Sequence, residues 1–168
     1  GGTFTAGDGS GVLFAYNVGA TDGKGKMEIS NATFNGIVGG DDLYDVVINS
    51  GTFNSKVDPS YIADGKASAS LTSGDETAYY IGTGAEVAEK LETAADGDKI
   101  EVMQGDVDLE LADGVVVSNS GDGKVTANNE PVTDEEVTAH VHDAKPVAAK
   151  EATCTEDGNI AYWYCENC

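Results

Sequence analysis

The residues with the sharpest chemistry stand at the far end of the chain. Cys165 and Cys168 form a Cys-x-x-Cys, with Cys154 and His142 upstream. Two thiolates at that spacing grip one tetrahedral metal from a tight turn, and a third Cys and a His complete a Cys₃His set. The expected ligands of a structural zinc are therefore His142, Cys154, Cys165 and Cys168, with His140 the weaker candidate at the same end. Such an ion would hold together a tail with no core of its own, since metal binding in small modules is worth about 10–16 kcal/mol. The rival is a disulfide. A Cys154–Cys165 bridge would close a short loop for roughly 3 kcal/mol, although three cysteines leave one unpaired. Redox catalysis through Cys-x-x-Cys lacks the βαβ setting it requires.

Other candidates carry less. Asp41 and Asp42 could be the paired carboxylates of a glycosidase. Adjacent strand residues face opposite sides, so the pair would not meet one substrate without a turn. Asp96-Gly97-Asp98 and Asp106-Val107-Asp108 are fragments of calcium loops that complete no calcium-binding pattern, so Ca²⁺ is not expected. Gly7-Asp8-Gly9-Ser10-Gly11 has neither a following Lys nor a helix and is no phosphate loop. Tyr162-Trp163-Tyr164 could stack against a sugar. Alternation sends Trp163 one way and the tyrosines the other, and packing beside the cysteines is the preferred expectation. No catalytic or cofactor-binding residue is assigned.

The elements that must position these residues are short and repeated. Ile29-Ser30-Asn31-Ala32-Thr33-Phe34-Asn35-Gly36 returns nineteen residues later as Ile48-Asn49-Ser50-Gly51-Thr52-Phe53-Asn54-Ser55, and Gly1-Gly2-Thr3-Phe4-Thr5 is a shorter relative. A period near twenty predicts solenoid turns, each packed on its neighbours, with Phe4, Phe34 and Phe53 stacked inside. The wider first interval predicts a longer loop in the first turn. Asp58-Pro59 to Gly65 is a single capped helical turn that closes the array, with Tyr61 and Ile62 over the last rung. Residues 77–82 form a strand. Residues 85–95 form the one clear helix, with Thr83 and Glu86 as a capping box and Val87, Leu91 and Ala94 or Ala95 as its apolar stripe. Lys99–Met103, Val107–Leu111, Val115–Val117 and Lys124–Thr126 continue as strands. Thr133 to Lys150 looks like a linker or an extended arm. The expected organisation is a mainly β chain: right-handed parallel β-helix rungs over 1–72, a small helix-and-strands unit over 73–130, and a linker with a Cys/His mini-module over 131–168.

Composition narrows the partners. Thirty acids face nine lysines in 168 residues, a net charge of −21 with no arginine. Phosphate contacts need clustered Lys and Arg, so nucleic acid is excluded as a partner, and anionic membrane surfaces are disfavoured. No apolar run reaches the eighteen or so residues that a spanning helix needs, so membrane insertion is not expected.

These motifs resemble a family of large secreted or wall-attached proteins of Gram-positive gut bacteria. Those proteins carry Gly-Gly-Thr-Phe rungs of a right-handed parallel β-helix. The resemblance rests on Ile48 to Gly65, on Ala78 to Val102 and, most specifically, on His142 to Cys168, which is similar to that family's "His…Ala-Thr-Cys-Thr-Glu-x-Gly-Asn…Tyr-Cys-x-x-Cys" module. It implies an extracellular location and a non-catalytic structural or adhesive role in a larger protein, with carbohydrate or a host or cell-wall surface as partner. A fragment of a carbohydrate-active β-helix enzyme and a carbohydrate-binding module are the alternatives.

Overall fold

The computed structural model describes residues 2–5, 13–15, 25–40, 44–133 and 136–166; Asp41, Asp42, Cys168 and the glycine-rich stretch 7–11 lie outside them. The chain opens with β1 (Gly2–Thr5), β2 (Leu13–Ala15) and β3 (Gly25–Ile29). Next, β4 (Ala32–Asn35), β5 (Val38–Gly40) and β6 (Tyr44–Ile48) return in the same order, and β7 (Gly51–Phe53) begins a third pass. β1 pairs with β4, β4 with β7, β2 with β5 and β3 with β6, every pair parallel. The offset between partners falls from 30 residues at β1–β4 to 25 at β2–β5 and 19 at β3–β6. The extra length of the first pass is thus shared between two connections rather than carried by a single loop.

In this register Phe4, Phe34 and Phe53 stand opposite one another. The first two rings stack at 5.0 Å and 12°, the second two at 5.4 Å and 4°. Phe34 and Phe53 are buried in a first core with Ile29, Val46, Ile48 and Ile62. Asn31 turns the corner between β3 and β4 at φ 53°. Its amide donates to the Ser50 hydroxyl at 3.0 Å, and that hydroxyl donates back to the Asn31 side chain at 3.1 Å, so the corners of successive passes are tied. A 3₁₀ turn over Pro59–Tyr61 follows, its N-cap Asp58 accepting the Ser60 amide at 2.9 Å. Ile62 then bridges to Ile48, and the Ala63 amide donates to the Ile48 carbonyl at 3.0 Å, so the turn sits against the end of β6.

The sheet continues past this point. β8 (Ala67–Ser73) and β9 (Glu76–Gly82) form a hairpin, and β9 pairs antiparallel with β7. β8 pairs antiparallel with β10 (Lys99–Gln104), β10 parallel with β12 (Val116–Asn119), and β12 antiparallel with β15 (Val137–Thr138). The order is β1-β4-β7-β9-β8-β10-β12-β15. Residues 72 and 73, between which the first and second units were divided, both lie in β8. A second core gathers Ala69, Val87, Leu91, Val102, Leu109 and Val117 among others. The ladder sets Phe53 opposite Tyr79, and Thr52, Tyr80, Ala69 and Val102 in a row beside it. Successive strand residues face opposite sides, so the two cores lie on opposite faces of one sheet.

The helix α1 (Gly84–Leu91) covers the second core with Val87, Ala88 and Leu91. It carries the expected capping box but stops short of residue 95; the Thr93 hydroxyl donates to the Lys90 carbonyl at 2.8 Å, and the chain turns at Gly97, φ 85°. Of the two alanines considered for its stripe, Ala94 is the buried one. β11 (Val107–Leu109) pairs parallel with β13 (Val125–Ala127), which pairs antiparallel with β14 (Glu130–Val132). Residues 136–140 are not free arm: Ala139 is buried and its amide donates to the Val115 carbonyl at 2.7 Å. A separate hairpin, β16 (Ala144–Val147) with β17 (Tyr162–Cys165), ends the described chain. Strand makes up 49% and helix 8% of the described residues, which meets the mainly β expectation.

Candidate functional site

The candidate metal ligands fall on the C-terminal hairpin and just before it. Cys165 stands opposite Ala144, two residues after His142, so these two share one end of the hairpin. There the Glu166 amide donates to the Asp143 carbonyl, and the Lys145 ammonium sits between the Asp143 and Glu166 carboxylates at 2.6 and 3.8 Å. Cys154 occupies the other end. Lys150 bridges to Asn159, and beyond it the Thr153 amide donates to the Glu156 carbonyl, closing the turn that holds Cys154. From the level of Ala144 to that of Lys150 the extended chain runs about 20 Å at ~3.3 Å per residue. A disulfide needs Cα atoms within about 7 Å, and shared zinc needs Zn–S of about 2.3 Å. The hairpin therefore places His142 and Cys165 at one end and Cys154 at the other, and it is incompatible with a Cys154–Cys165 bridge. Among the described residues no group of three His, Cys, Asp or Glu side chains is placed to hold a metal ion. The fourth expected ligand, Cys168, lies outside them.

His140 and His142 meet edge to face at 4.4 Å between ring centroids. His142 Nε2 lies 4.0 Å from Glu130 Oε1 on β14, and His140 Nε2 is buried without a hydrogen-bond partner. The backbone beneath is fixed by Asn128, which donates to the Leu111 and His140 carbonyls at 3.0 Å each and accepts the Leu111 amide at 2.7 Å. Neither Asn128 nor Glu130 was singled out from the sequence. The Asn128-Asn129 pair was the available signal, because both adopt positive φ, 50° and 68°, which Asn tolerates better than most residues.

The aromatic triplet lies on β17 and is open to solvent. Trp163 is 70% exposed, and Tyr162 and Tyr164 are close to half exposed. Trp163 stands opposite Pro146, and the tyrosines opposite Val147 and Lys145. Neither hydrophobic core includes a residue of this hairpin.

Three of the acids in the calcium-loop fragments are engaged with the backbone or with neighbours. Asp106 accepts the Lys124 amide at 2.7 Å, Asp108 accepts the Thr126 hydroxyl, and Asp98 accepts the Ala95 amide at 2.9 Å. Asp106 and Asp108 line a cleft of about 510 Å³ beside Glu89 and Glu92 of α1. Hydrogen bonds from Ala95 and Ser73 hold the Asp98 carboxyl below the usual carboxylate range. Glu86 is held low in the same way by the Thr83 amide and hydroxyl, which tie it to the helix cap.

Comparison of the chain with protein families, with curated proteins and with solved structures finds no significant match. No helix among the described residues is long and apolar enough to cross a membrane.

Proposed function

We propose that the chain is a non-catalytic structural and adhesive module of a larger secreted or cell-surface protein, and that its first part is a right-handed parallel β-helix segment. The observation that carries this reading is the cyclic return of β1–β3 as β4–β6, in three parallel ladders around one phenylalanine stack. Stacked turns of this kind give a stiff body from repeated short segments. The extracellular placement rests on the family resemblance alone.

The adhesive part of the reading assigns surface contact to the β16–β17 hairpin, and carbohydrate is the partner its chemistry suits. A ring as open as Trp163 offers the flat apolar face that sugar rings stack on. The test is retention of the purified chain on insoluble cell-wall polysaccharide. Saturable retention, weakened in Trp163→Ala and without new reducing ends, supports the module. Release of reducing ends favours the enzyme-fragment alternative. No retention leaves a structural spacer and removes the adhesive role.

A structural zinc is proposed for the His142 end of the hairpin, with Cys165 and Cys168 as its Cys-x-x-Cys pair. Metal analysis should give about one zinc per chain, retained in Cys154→Ser and lost in Cys168→Ser. An absence of zinc from chain purified in zinc-containing medium overturns the assignment.

A further inference from the structure

The apolar packing of the first core stops at β9. Ile81 belongs to that core, and beside it on β8 stands Ser68, with Gln104 of β10 on the far side. Serine is too small to continue the packing across the sheet. The turn from Lys56 to Ile62 supplies one side of the space that remains. On the other side the β8–β10 ladder shifts register between Val102 and Gln104, which leaves Met103 in the bulge. A cavity of about 170 Å³ results, and Lys56, Ile62, Ser68, Tyr79, Met103 and Ser120 are among its lining residues. Its walls are held in place. Asp58 caps the turn through the Ser60 amide, Ile62 bridges to Ile48, and the Ser120 hydroxyl donates to the Glu101 carboxylate at 2.6 Å. Bulges re-aim side chains in this way beside binding sites.

Two polar groups of the cavity have no task in the fold. Ser68 is 4% exposed, and its hydroxyl has no hydrogen-bond partner among the described residues, whereas buried hydroxyls are nearly always paired. Lys56 is exposed, and the ion pairs of the described lysines engage Lys26, Lys99, Lys145 and Lys150 instead. The described residues that line the cavity include no carboxylate. In a chain of thirty acids and nine lysines that is a selective feature. Four larger clefts each carry at least one, with Glu89, Glu86, Glu28 and Glu76 in turn. Apolar walls with a few converging polar groups are the usual form of a small-molecule site, and here the polar groups suit an anion. A cavity of about 150 Å³ admits benzene, which sets the size of the body that fits.

We propose that this cavity binds a small carboxylic acid with a compact apolar body, of the size of benzoate. The Ser68 hydroxyl and the Lys56 ammonium receive the carboxylate, and Ile62, Tyr79 and Met103 receive the body. Hydrogen bonds from such donors to a carboxylate are charge-assisted, and the ligand supplies the partner that Ser68 lacks. The inference goes beyond the structural and adhesive reading above and does not rest on it.

The test titrates the full chain with benzoate, followed by NMR, with benzamide and benzylamine as neutral and cationic probes of the same shape. Saturable shifts are expected at the Ser68, Tyr79 and Met103 amides, with a dissociation constant of about 1 mM for so few ligand atoms. Lys56→Gln, a change at an exposed side chain, should weaken benzoate binding about tenfold, and Ser68→Ala should do the same. Slow exchange of the Phe53 and Val102 amides reports that each variant keeps both cores. Should Ser68→Ala lose that protection, Lys56→Gln decides alone. Absence of saturation at about 20 mM benzoate overturns the proposal. So does benzamide or benzylamine binding as tightly as benzoate, or benzoate affinity unchanged in either folded variant.

Discussion

Phe53 and Phe4 both follow a Gly-Thr pair in sequence and have very different surroundings. Phe53 has a ring on one side, Tyr79 across the sheet, and almost no contact with water. Its replacement by Ala leaves a cavity and should cost about 3–5 kcal/mol. Phe4 closes the stack with one face open, so Phe4→Ala should cost about 1 kcal/mol, near the worth of an aromatic pair. Urea unfolding of the two variants checks the ordering, and equal losses would mean that the stack is not the organising contact. Glu86 presents a second residue-scale test. Its carboxylate accepts the Thr83 amide at 2.7 Å and the Thr83 hydroxyl at 2.9 Å, which lowers its pKa when folded. A carboxyl with a lowered folded pKa stabilises fully above its unfolded value, about 4.3, and loses that contribution as pH falls through the folded value. Asp58, held low by Ser60, acts in the same sense. Between pH 5 and about 3 the wild type should therefore lose more stability than Glu86→Gln, whose side chain does not titrate. Parallel pH profiles of the two proteins would remove the capping box from the account.

The β16–β17 hairpin is the element whose stability is least supported. Two isolated strands are marginal in water, and this pair adds no residue to either core. Its amides from Ala144 to Cys165 should exchange fast in metal-free chain, orders of magnitude faster than those of β10 and β12, whose Val102 and Val117 are fully buried. Slow exchange there without metal would show a docking contact, and slow exchange only with zinc would support the metal reading. The elements also show what the sequence could reveal. Thr33-Phe34 and Thr52-Phe53 declare β4 and β7 because the repeat places identical side chains in one register. The capping box declares the start of α1, since its residues act over three positions. β8 is a different case. Ala67-Ser68-Ala69-Ser70-Leu71-Thr72-Ser73 lacks the aromatic and mostly β-branched composition of strands, so nothing local marks it as one. It is a strand because β9 and β10 pair with it on both sides, information that resides in residues up to thirty-six positions away, as in Gln104 opposite Ser68. The candidate ligands show the same limit. Spacing placed Cys154 with Cys165, but the pairing of Lys150 with Asn159 carries Cys154 to the far turn.

At the scale of the whole molecule the decisive feature is one sheet with a core on each face. Tyr79 and Ile81 of β9 face the first core, while Tyr80 between them packs on the second. β8 and β9 are joined by seven residue pairs, from Ala67–Gly82 to Ser73–Glu76. If the first core melted alone, β9 would lose the strand on its β7 side and expose Ile81, yet it would have to keep its place for Tyr80 to cover the second core. If the second melted alone, β8 would lose β10 and leave the β9 hairpin with a single supported face. Either partial state strands buried apolar surface in water, at roughly 25 cal/mol per Å², without releasing the hairpin entropy that full unfolding recovers. The two cores should therefore unfold together although they share no residue. Phe34→Ala strikes only the first core and Val117→Ala only the second. Each should lower the opening free energy read at both the Phe53 and the Val102 amides by the same amount, in the range of about 2–5 kcal/mol for such truncations. A Phe34→Ala chain in which Val102 keeps its wild-type protection would show that the sheet carries two independent folding units and that β9 is a hinge between them.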